Sequence, residues 1–335
     1  MSKSATRTIM QRPNDPFVYL HVMGEWYCYN PQEPPLGQGA MGDVYKGYRC
    51  SNGALVAIKK VKAEFENNKM IRERARLEAS LAFRHPNLVE MIGCCEWTPD
   101  HGPIFILSNF VQGEDVDEFV KRYSESQQRV EKTCKIVCAI LDALDYIHSR
   151  GVIHRDIKPS NIMVENDSNV RLMDLGISRM NGGNKFSQYG FIGTPQYSAP
   201  EQIKRDEGNS SVTINATTDI YELGVTFYEL LTGNNPFDAK TEVETLTKQL
   251  KGPLPDSALI PSKLMRVIRK ATEKDQKLRY QTASEFKRAI EEALLPDPTL
   301  SEKIAAWITG NILLVSIVLS AIMFGLFLGI LLLIA

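Results

Sequence analysis

The stretch IHRDIKPSNIM at residues 153–163 carries more chemical function than any other run of the chain. Asp156, Lys158 and Asn161 lie within it, and Asp174 follows in the run MDLG. Asp156 is placed to accept a proton from a hydroxyl group, and Lys158 supplies a fixed positive charge. Asn161 and Asp174 offer hard oxygen ligands of the kind that Mg²⁺ prefers. This set favours phosphoryl transfer, in which a protein mainly positions groups and neutralises charge.

Length and composition set broad limits on the protein. A chain of 335 residues can form one large domain, or two lobes, together with an accessory segment. Its hydrophobic content of 43% and charged content of 24% are ordinary for a globular protein. The net charge of −1 gives no reason to expect a nucleic acid as partner. Six cysteines without zinc-type pairing or disulfide-scaffold density are typical of a reducing cytosol.

The C-terminal end of the chain is strongly apolar. No charged side chain occurs from residue 304 to 335, and residues 312–335 are almost wholly aliphatic. At about 1.5 Å per residue, a helix of that length spans the roughly 30 Å hydrocarbon core of a bilayer. We therefore predict one transmembrane helix at 308–335, joined to the preceding domain by a linker at 293–303. The first twelve residues contain no apolar run, which argues against a secretory signal.

A glycine-rich turn precedes the central stretch. Gly37, Gly39 and Gly42 stand in the run PLGQGAMGDVYKG, where the missing Cβ atoms allow a backbone to approach phosphate groups closely. Val44 follows, and the strand-like run LVAIKKV comes next with Lys59 in it. Two strands around the glycines favour a phosphate-covering loop over a dinucleotide fingerprint, which opens a helix instead.

A helix is predicted at 66–83, and it carries an acid that would hold Lys59 in place. Two acids fit this role, Glu78 and Glu73, and the sequence leaves the choice open. Upstream, residues 17–30 are rich in aromatic and β-branched side chains and predict a strand or two. We assign residues 1–32 to an N-terminal extension, for which the sequence indicates no particular function.

These motifs resemble the eukaryotic-type serine/threonine protein kinases, and the similarity covers residues 33–292. The sequences of the glycine run and of the APEQ motif are similar to those of the bacterial membrane kinases of this type. Lys158 and the run GTPQY at 193–197 resemble the serine/threonine class and not the tyrosine class. Leu175 stands where this family usually has phenylalanine. The motifs that carry the resemblance are Gly37-x-Gly39-x-x-Gly42, Lys59, His154-Arg155-Asp156, Asn161, Asp174 and Ala199-Pro200-Glu201.

The resemblance implies an α+β, bilobed protein kinase fold followed by the C-terminal transmembrane helix. A small, β-rich N-lobe would extend to about residue 109 and a larger, helical C-lobe would begin at about residue 113. The implied catalytic residues are Asp156, Lys158, Lys59 and Asn161, and the implied metal ligands are Asn161 and Asp174. The implied ATP-binding residues are Gly37, Gly39, Gly42, Val44, Ala57, Lys59, Glu78, Ser108, Asn109 and Val111.

The implied activity is transfer of the γ-phosphoryl group of ATP to Ser and Thr hydroxyls of protein substrates. The implied cofactor is Mg²⁺, with Mn²⁺ as the alternative, and autophosphorylation at Ser187 or Thr194 is expected. Two other readings stay open. One is a pseudokinase that serves as a membrane-tethered scaffold without turnover, and the other is a small-molecule kinase that shares the core fold.

The predicted span implies a single-pass membrane protein whose kinase domain faces the cytosol, because ATP is found there. Lys303 at the near end of the span agrees with the positive-inside tendency. Ala321, Gly325 and Gly329 recur every four residues, and such a face could pack two spans into a homodimer.

Overall fold

The computed structural model describes residues 8–334 except 40, 125, 167–168, 175–193, 207–210 and 298. Two compact units divide the chain, Met1–Ala293 and Leu294–Ala335. The first unit holds an N-terminal sheet with one helix and a C-terminal helical part with a small sheet.

The N-terminal part of the first unit is a curled antiparallel sheet. Its strands follow the order β1-β2-β3-β5-β6-β8-β7, and β4 pairs with β5. The helix α1 packs against β7 and β8. The elements are β1 (Ile9–Gln11), β2 (Val18–Val22), β3 (Glu25–Tyr29), β4 (Gly37–Gln38), β5 (Gly42–Arg49), β6 (Leu55–Val61), α1 (Lys69–Ser80), β7 (Met91–Glu96) and β8 (Ile104–Asn109).

The first three strands are an integral part of this sheet. The strands predicted at 17–30 are present as β2 and β3, and β1 adds a third that the sequence did not indicate. Leu20 of β2 is buried in the same apolar cluster as Ile58 of β6 and Leu107 of β8. The hydroxyl of Thr8 also donates to the carbonyl of Glu96 at 2.7 Å, so the start of the described chain reaches the free edge of β7. The predicted extension is therefore continuous with the lobe that follows it.

The C-terminal part of the first unit is mainly helical. It is built around α5, in which 14 of 17 residues are buried, with Asn215 capping its start and Gly233 (φ 79°) ending it. The three-stranded sheet has the order β11-β10-β9. The elements are β9 (Glu114–Asp115), α2 (Val116–Lys121), α3 (Ser126–His148), β10 (Ile162–Glu165), β11 (Asn169–Leu172), α4 (Pro200–Asp206), α5 (Ala216–Thr232), α6 (Glu242–Lys251), α7 (Ser262–Ala271) and α8 (Ala283–Leu294).

The second unit consists of two helices, α9 (Leu300–Gly310) and α10 (Ile312–Ile334). Thr299 and Glu302 form a capping box at the start of α9, so part of the predicted linker is helical. Asn311 separates the two helices, which places a break inside the span predicted at 308–335. In the part of the chain whose side chains the structure describes, which ends at Leu326, no helix combines the length and the apolarity needed to cross a membrane.

Candidate active site

The glycine turn lies between β4 and β5, as the sequence indicates. The amide of Gly39 donates to the carbonyl of Gly42 at 2.9 Å and closes the turn. A Cβ atom on Gly42 would lie 2.4 Å from the carbonyl oxygen of Lys60, so no other residue fits there without a backbone shift. Val44 pairs with Lys59 across the two strands, which places the lysine directly beside the turn.

The connection between the two lobes carries the residues predicted for the adenine pocket. Ala57 of β6 pairs with Ser108 of β8, and Asn109 ends that strand. The amide of Asn109 donates to the carbonyl of Glu90 at 2.9 Å, which fixes the end of the strand. Val111 is buried in the short segment that leads to β9. These four predicted residues therefore line one path from the N-terminal sheet into the helical part.

Lys59 is the central charge of the site. Its Nζ atom donates to the Asp174 carboxylate at 2.9 Å. Burial alone would lower the pKa of Lys59, but the carboxylates of Asp174 and Glu78 outweigh it and raise that pKa. The Lys59 charge in turn holds the pKa of Asp174 below its usual value, against the effect of burial. Both groups are therefore ionised at neutral pH.

The structure distinguishes the two acids that the sequence left open on α1. Glu78 is buried beside Lys59, whereas Glu73 is exposed. Burial raises the pKa of Glu78 to about 7, and the Lys59 charge opposes that rise. Among the described residues, no direct hydrogen bond or ion pair joins Glu78 to Lys59, because Lys59 is bonded to Asp174.

The catalytic stretch is a loop that connects α3 to β10. Lys158 lies 3.2 Å from Asp156, measured from Nζ to Oδ2. The side-chain amide of Asn161 donates to the backbone carbonyl of Asp156 at 2.7 Å and to its carboxylate at 3.0 Å. The amide of Met173 donates to the Asn161 carbonyl at 2.8 Å and brings Asp174 alongside. All four predicted catalytic and metal-binding side chains of the C-lobe therefore meet at one place.

Oxygen donors at this place suit a hard divalent cation. The Asn161 amide nitrogen is used by Asp156, which leaves its Oδ1 atom as a neutral oxygen ligand beside the ionised Asp174 carboxylate. One carboxylate and one amide oxygen are the kind of partial shell that Mg²⁺ accepts when phosphate oxygens and waters complete it. The residues present therefore fit the cation that the sequence predicted.

Two acidic side chains of α5 support this loop by accepting hydrogen bonds from its backbone amides. The Asp219 carboxylate accepts hydrogen bonds from the backbone amides of His154 at 2.8 Å and Arg155 at 2.7 Å. It also lies 2.6 Å from Nε2 of His148. Burial would raise the pKa of Asp219, but the bonds from His148 and Arg155 keep it low. Glu222, which the sequence analysis missed, accepts the amide of Ile157 at 2.8 Å.

Two non-glycine residues of the site have backbones in the left-handed region. The φ angle is 68° at Arg155 and 39° at Asp174. Such conformations are unfavourable for residues with a Cβ atom and are found at functional sites that the surrounding structure holds in place. The Asp219 brace supplies that support for Arg155.

The segment that begins at Thr194 lies against the catalytic loop. The Lys158 ammonium donates to the Thr194 hydroxyl at 2.9 Å. Farther on, Glu201 and Arg279 form a buried ion pair at 2.7 Å. Leu175, Ser187 and Gly193 lie outside the described residues.

Comparison with known proteins agrees with this geometry. The family described as "Protein kinase domain" matches residues 31–299. A serine/threonine-protein kinase PknH of Mycobacterium bovis is 34% identical over 266 residues, which cover 77% of this chain and 43% of that protein. A serine/threonine-protein kinase PknB of Mycobacterium tuberculosis is 32% identical over 262 residues, which cover 75% of this chain and 41% of that protein. The chain thus matches about two fifths of the length of these relatives.

A solved structure shows the same fold. The crystal structure of the Mycobacterium tuberculosis PknI kinase domain superposes with a TM-score of 0.59 and is 24% identical in sequence. The match covers 82% of this chain and 98% of that one. It supports the bilobed architecture of the first unit.

Proposed function

Because the chain belongs to the protein kinase family, with a domain of the bacterial serine/threonine type, we propose that it transfers the γ-phosphoryl group of ATP to Ser and Thr hydroxyls of protein substrates. One observation carries this proposal. The catalytic loop brings together Asp156, Lys158 and Asn161, and Asp174, bonded to Lys59, lies alongside. The buried acid Asp219 accepts hydrogen bonds from the backbone of this loop.

Each side chain has a physical role in this reaction. Asp156 orients the substrate hydroxyl and accepts its proton as the new oxygen–phosphorus bond forms, while the bond between the γ-phosphorus and the β–γ bridging oxygen breaks and ADP leaves. Lys158, 3.2 Å away, stabilises negative charge on the transferred group. Lys59 holds the nucleotide phosphates. Once the bond between Lys59 and Asp174 is released, Glu78 is the acid that would pair with Lys59.

The cation would be held by Asn161 and Asp174, whose oxygen ligands suit Mg²⁺ and also Mn²⁺. When bound, the cation neutralises the charge of adjacent phosphate oxygens. Asp174, one of the two residues that would hold the cation, is bonded to Lys59 in this structure, so the Lys59 ammonium would be free for the nucleotide phosphates only once that bond is released. The nucleotide itself would lie under the glycine turn and against Val44, Ala57, Ser108 and the segment of Asn109 and Val111.

Analysis of the phosphorylated residue tests this reaction. Incubation of the full chain with Mg·ATP and a protein substrate should give phosphoserine or phosphothreonine. Phosphotyrosine, or phosphorylation of small metabolites with no labelled polypeptide, would contradict it. Binding of Mg·ATP without any transfer would favour the pseudokinase scaffold.

We further propose that the kinase phosphorylates itself in the segment that follows Asp174. Arg155 precedes Asp156 in the loop, and a guanidinium there could pair with a phosphate on that segment. Ser187 is the favoured acceptor, because the Thr194 hydroxyl is already bonded to Lys158. Mass spectrometry of active protein that detects no phosphate between residues 177 and 193 would overturn this proposal.

We also propose that the C-terminal segment anchors the protein in a membrane as a single span, with the kinase domain facing the cytosol. The uncharged sequence from residue 304 onward and the 23-residue length of α10 support this. Expressed in cells, the full chain should remain with membranes after alkaline carbonate extraction, and the fragment 1–302 should be released. Release of both would contradict the anchor.

Pairing of two spans would place two kinase domains at a high effective concentration. Ala321, Gly325 and Gly329 form the small-residue face on which this proposal rests. Replacement of Gly325 and Gly329 with leucine should lower autophosphorylation in bilayers and leave it unchanged in the fragment 1–302. An unchanged rate in bilayers would count against pairing.

A further inference from the structure

Arg72, in the first turn of α1, is one of the largest fully buried side chains among the described residues, with 1% of its surface exposed. A buried guanidinium is costly unless its donors and its charge are matched. Its N–H groups donate to four backbone carbonyls: Pro99 at 3.0 Å, Glu66 at 2.5 Å, Gly102 at 2.9 Å and Thr98. Three of these carbonyls belong to the connection between β7 and β8.

The charge of Arg72 is matched by Glu96 at the end of β7. The Nη2 atom of Arg72 lies 3.2 Å from the Glu96 carboxylate. Arg76, one helical turn later, donates to the other oxygen of that carboxylate at 2.9 Å. Arg72 thus donates to four carbonyls and pairs with one carboxylate, in the planar fork that only a guanidinium provides. This arrangement is a specific connection between α1 and the β7–β8 hairpin.

The connection determines where α1 places its functional acid. Besides Arg72, the buried residues described in α1 are Ile71, Ala75 and Glu78. The first two of these pack against the sheet. Glu78 follows Arg72 by six residues, which is about 9 Å along a helix. A helix of this length moves as a rigid rod, so a contact that fixes its first turn also fixes the position of Glu78.

We propose that Arg72 is a positioning residue for phosphoryl transfer, which holds α1 against the β7–β8 hairpin so that Glu78 faces Lys59. This inference deepens the proposed kinase activity and rests on it. The Lys59 ammonium is bonded to Asp174 at 2.9 Å. It can change partners to Glu78 only if the Glu78 carboxylate stays close to it. With Arg72 removed, α1 loses its bonds to the Pro99 and Gly102 carbonyls and keeps only the contacts of the more exposed Arg76, so that Glu78 moves away from Lys59.

The test compares Arg72→Met and Arg72→Lys with wild type in steady-state kinase assays of the full chain. Both variants should lower kcat/KM for Mg·ATP by about 10- to 100-fold, as misplacement of a positioning group by about 1 Å does. KM for the peptide substrate should stay unchanged, because the peptide side of the site does not involve α1. Arg76→Met is the matched control, and its loss should be at most a few-fold. A loss equal to that of Arg72→Met would overturn the assignment to Arg72.

A double-mutant cycle separates positioning from general destabilisation. If Arg72 acts through Glu78, Arg72→Met should change kcat/KM for Mg·ATP far less in a Glu78→Gln background than in wild type. Equal factors in the two backgrounds would overturn the proposal. If Arg72→Met does not fold, Arg72→Lys carries the same cycle. An inactive wild type refutes the kinase activity, whereas an active wild type that tolerates both substitutions refutes only the role of Arg72.

Discussion

At the scale of single residues, the site depends on buried charges whose partners lie far away in the sequence. The catalytic, metal-binding and glycine residues could be predicted because their spacing along the chain is itself the signal. The choice between Glu78 and Glu73 could not, because the rotation of α1 about its axis is set by packing and not by local sequence. Arg72 was missed for a related reason. Charged residues on a helix usually lie on its solvent-exposed face, and Arg72 is buried because it donates to carbonyls of the β7–β8 connection, which are distant in sequence.

Glu78→Gln should make the protein more heat-stable at high pH and less active. The pKa of Glu78 in the folded protein is about 7, above the usual value of 4.5. The contribution of this carboxyl to the free energy of unfolding is therefore fully present below pH 4.5 and is lost as the pH rises through 7. Glutamine does not titrate, so the gain in Tm over wild type, measured without nucleotide, should be larger at about pH 8 than at about pH 5. An equal gain at both pH values would contradict the burial of an ionisable Glu78.

Removing one partner of the buried Arg279–Glu201 pair should strongly destabilise the C-terminal lobe. Arg279→Met leaves the Glu201 carboxylate buried without its bidentate partner, and the expected loss is about 3–5 kcal/mol in the free energy of unfolding. Arg269→Met is the matched control, since Arg269 is 43% exposed and its pair with Asp256 should contribute at most about 1 kcal/mol. Equal losses in denaturant unfolding would contradict the structural role of Arg279.

At the scale of elements, the sequence predicted the helix α1 and, from their aromatic and β-branched content, the strands β2 and β3. It did not predict β1 or the joining of β1–β3 to the kinase-type sheet. Strand partners are chosen by pairing between distant segments, here β3 with β5, and no local pattern reports that. The break at Asn311 was missed because an uncharged run looks continuous.

Truncation of a buried side chain in β2 should destabilise the whole N-terminal lobe, if β1–β3 are integral to its sheet. Leu20 is fully buried, and Leu20→Ala should lower the free energy of unfolding by about 2–5 kcal/mol. Met23 lies at the tip of the β2–β3 hairpin and is 85% exposed, so Met23→Ala should change it by at most about 0.5 kcal/mol. Equal effects in thermal unfolding would show that these strands fold separately.

At the scale of the whole molecule, the first unit has the bilobed kinase fold, and the resemblance read from the motifs predicted it. The lobes meet where Lys59 and α1 approach the braced loop that carries Asp156. The second unit contains two helices, and the membrane anchor proposed for them does not depend on the catalytic chemistry proposed for the first unit.

The decisive measurement is the incorporation of γ-labelled phosphate from Mg·ATP into protein by wild type beside Asp156→Asn. Asp156→Asn leaves the shape of the loop and the backbone contacts of Asp219 in place and removes the group that accepts the proton. Wild type should incorporate label on Ser or Thr, and the variant should bind Mg·ATP equally well but lose transfer by about 100-fold or more. Equal labelling by both proteins would contradict the catalytic role of Asp156, and no labelling by either, with Mg·ATP bound, would contradict kinase activity.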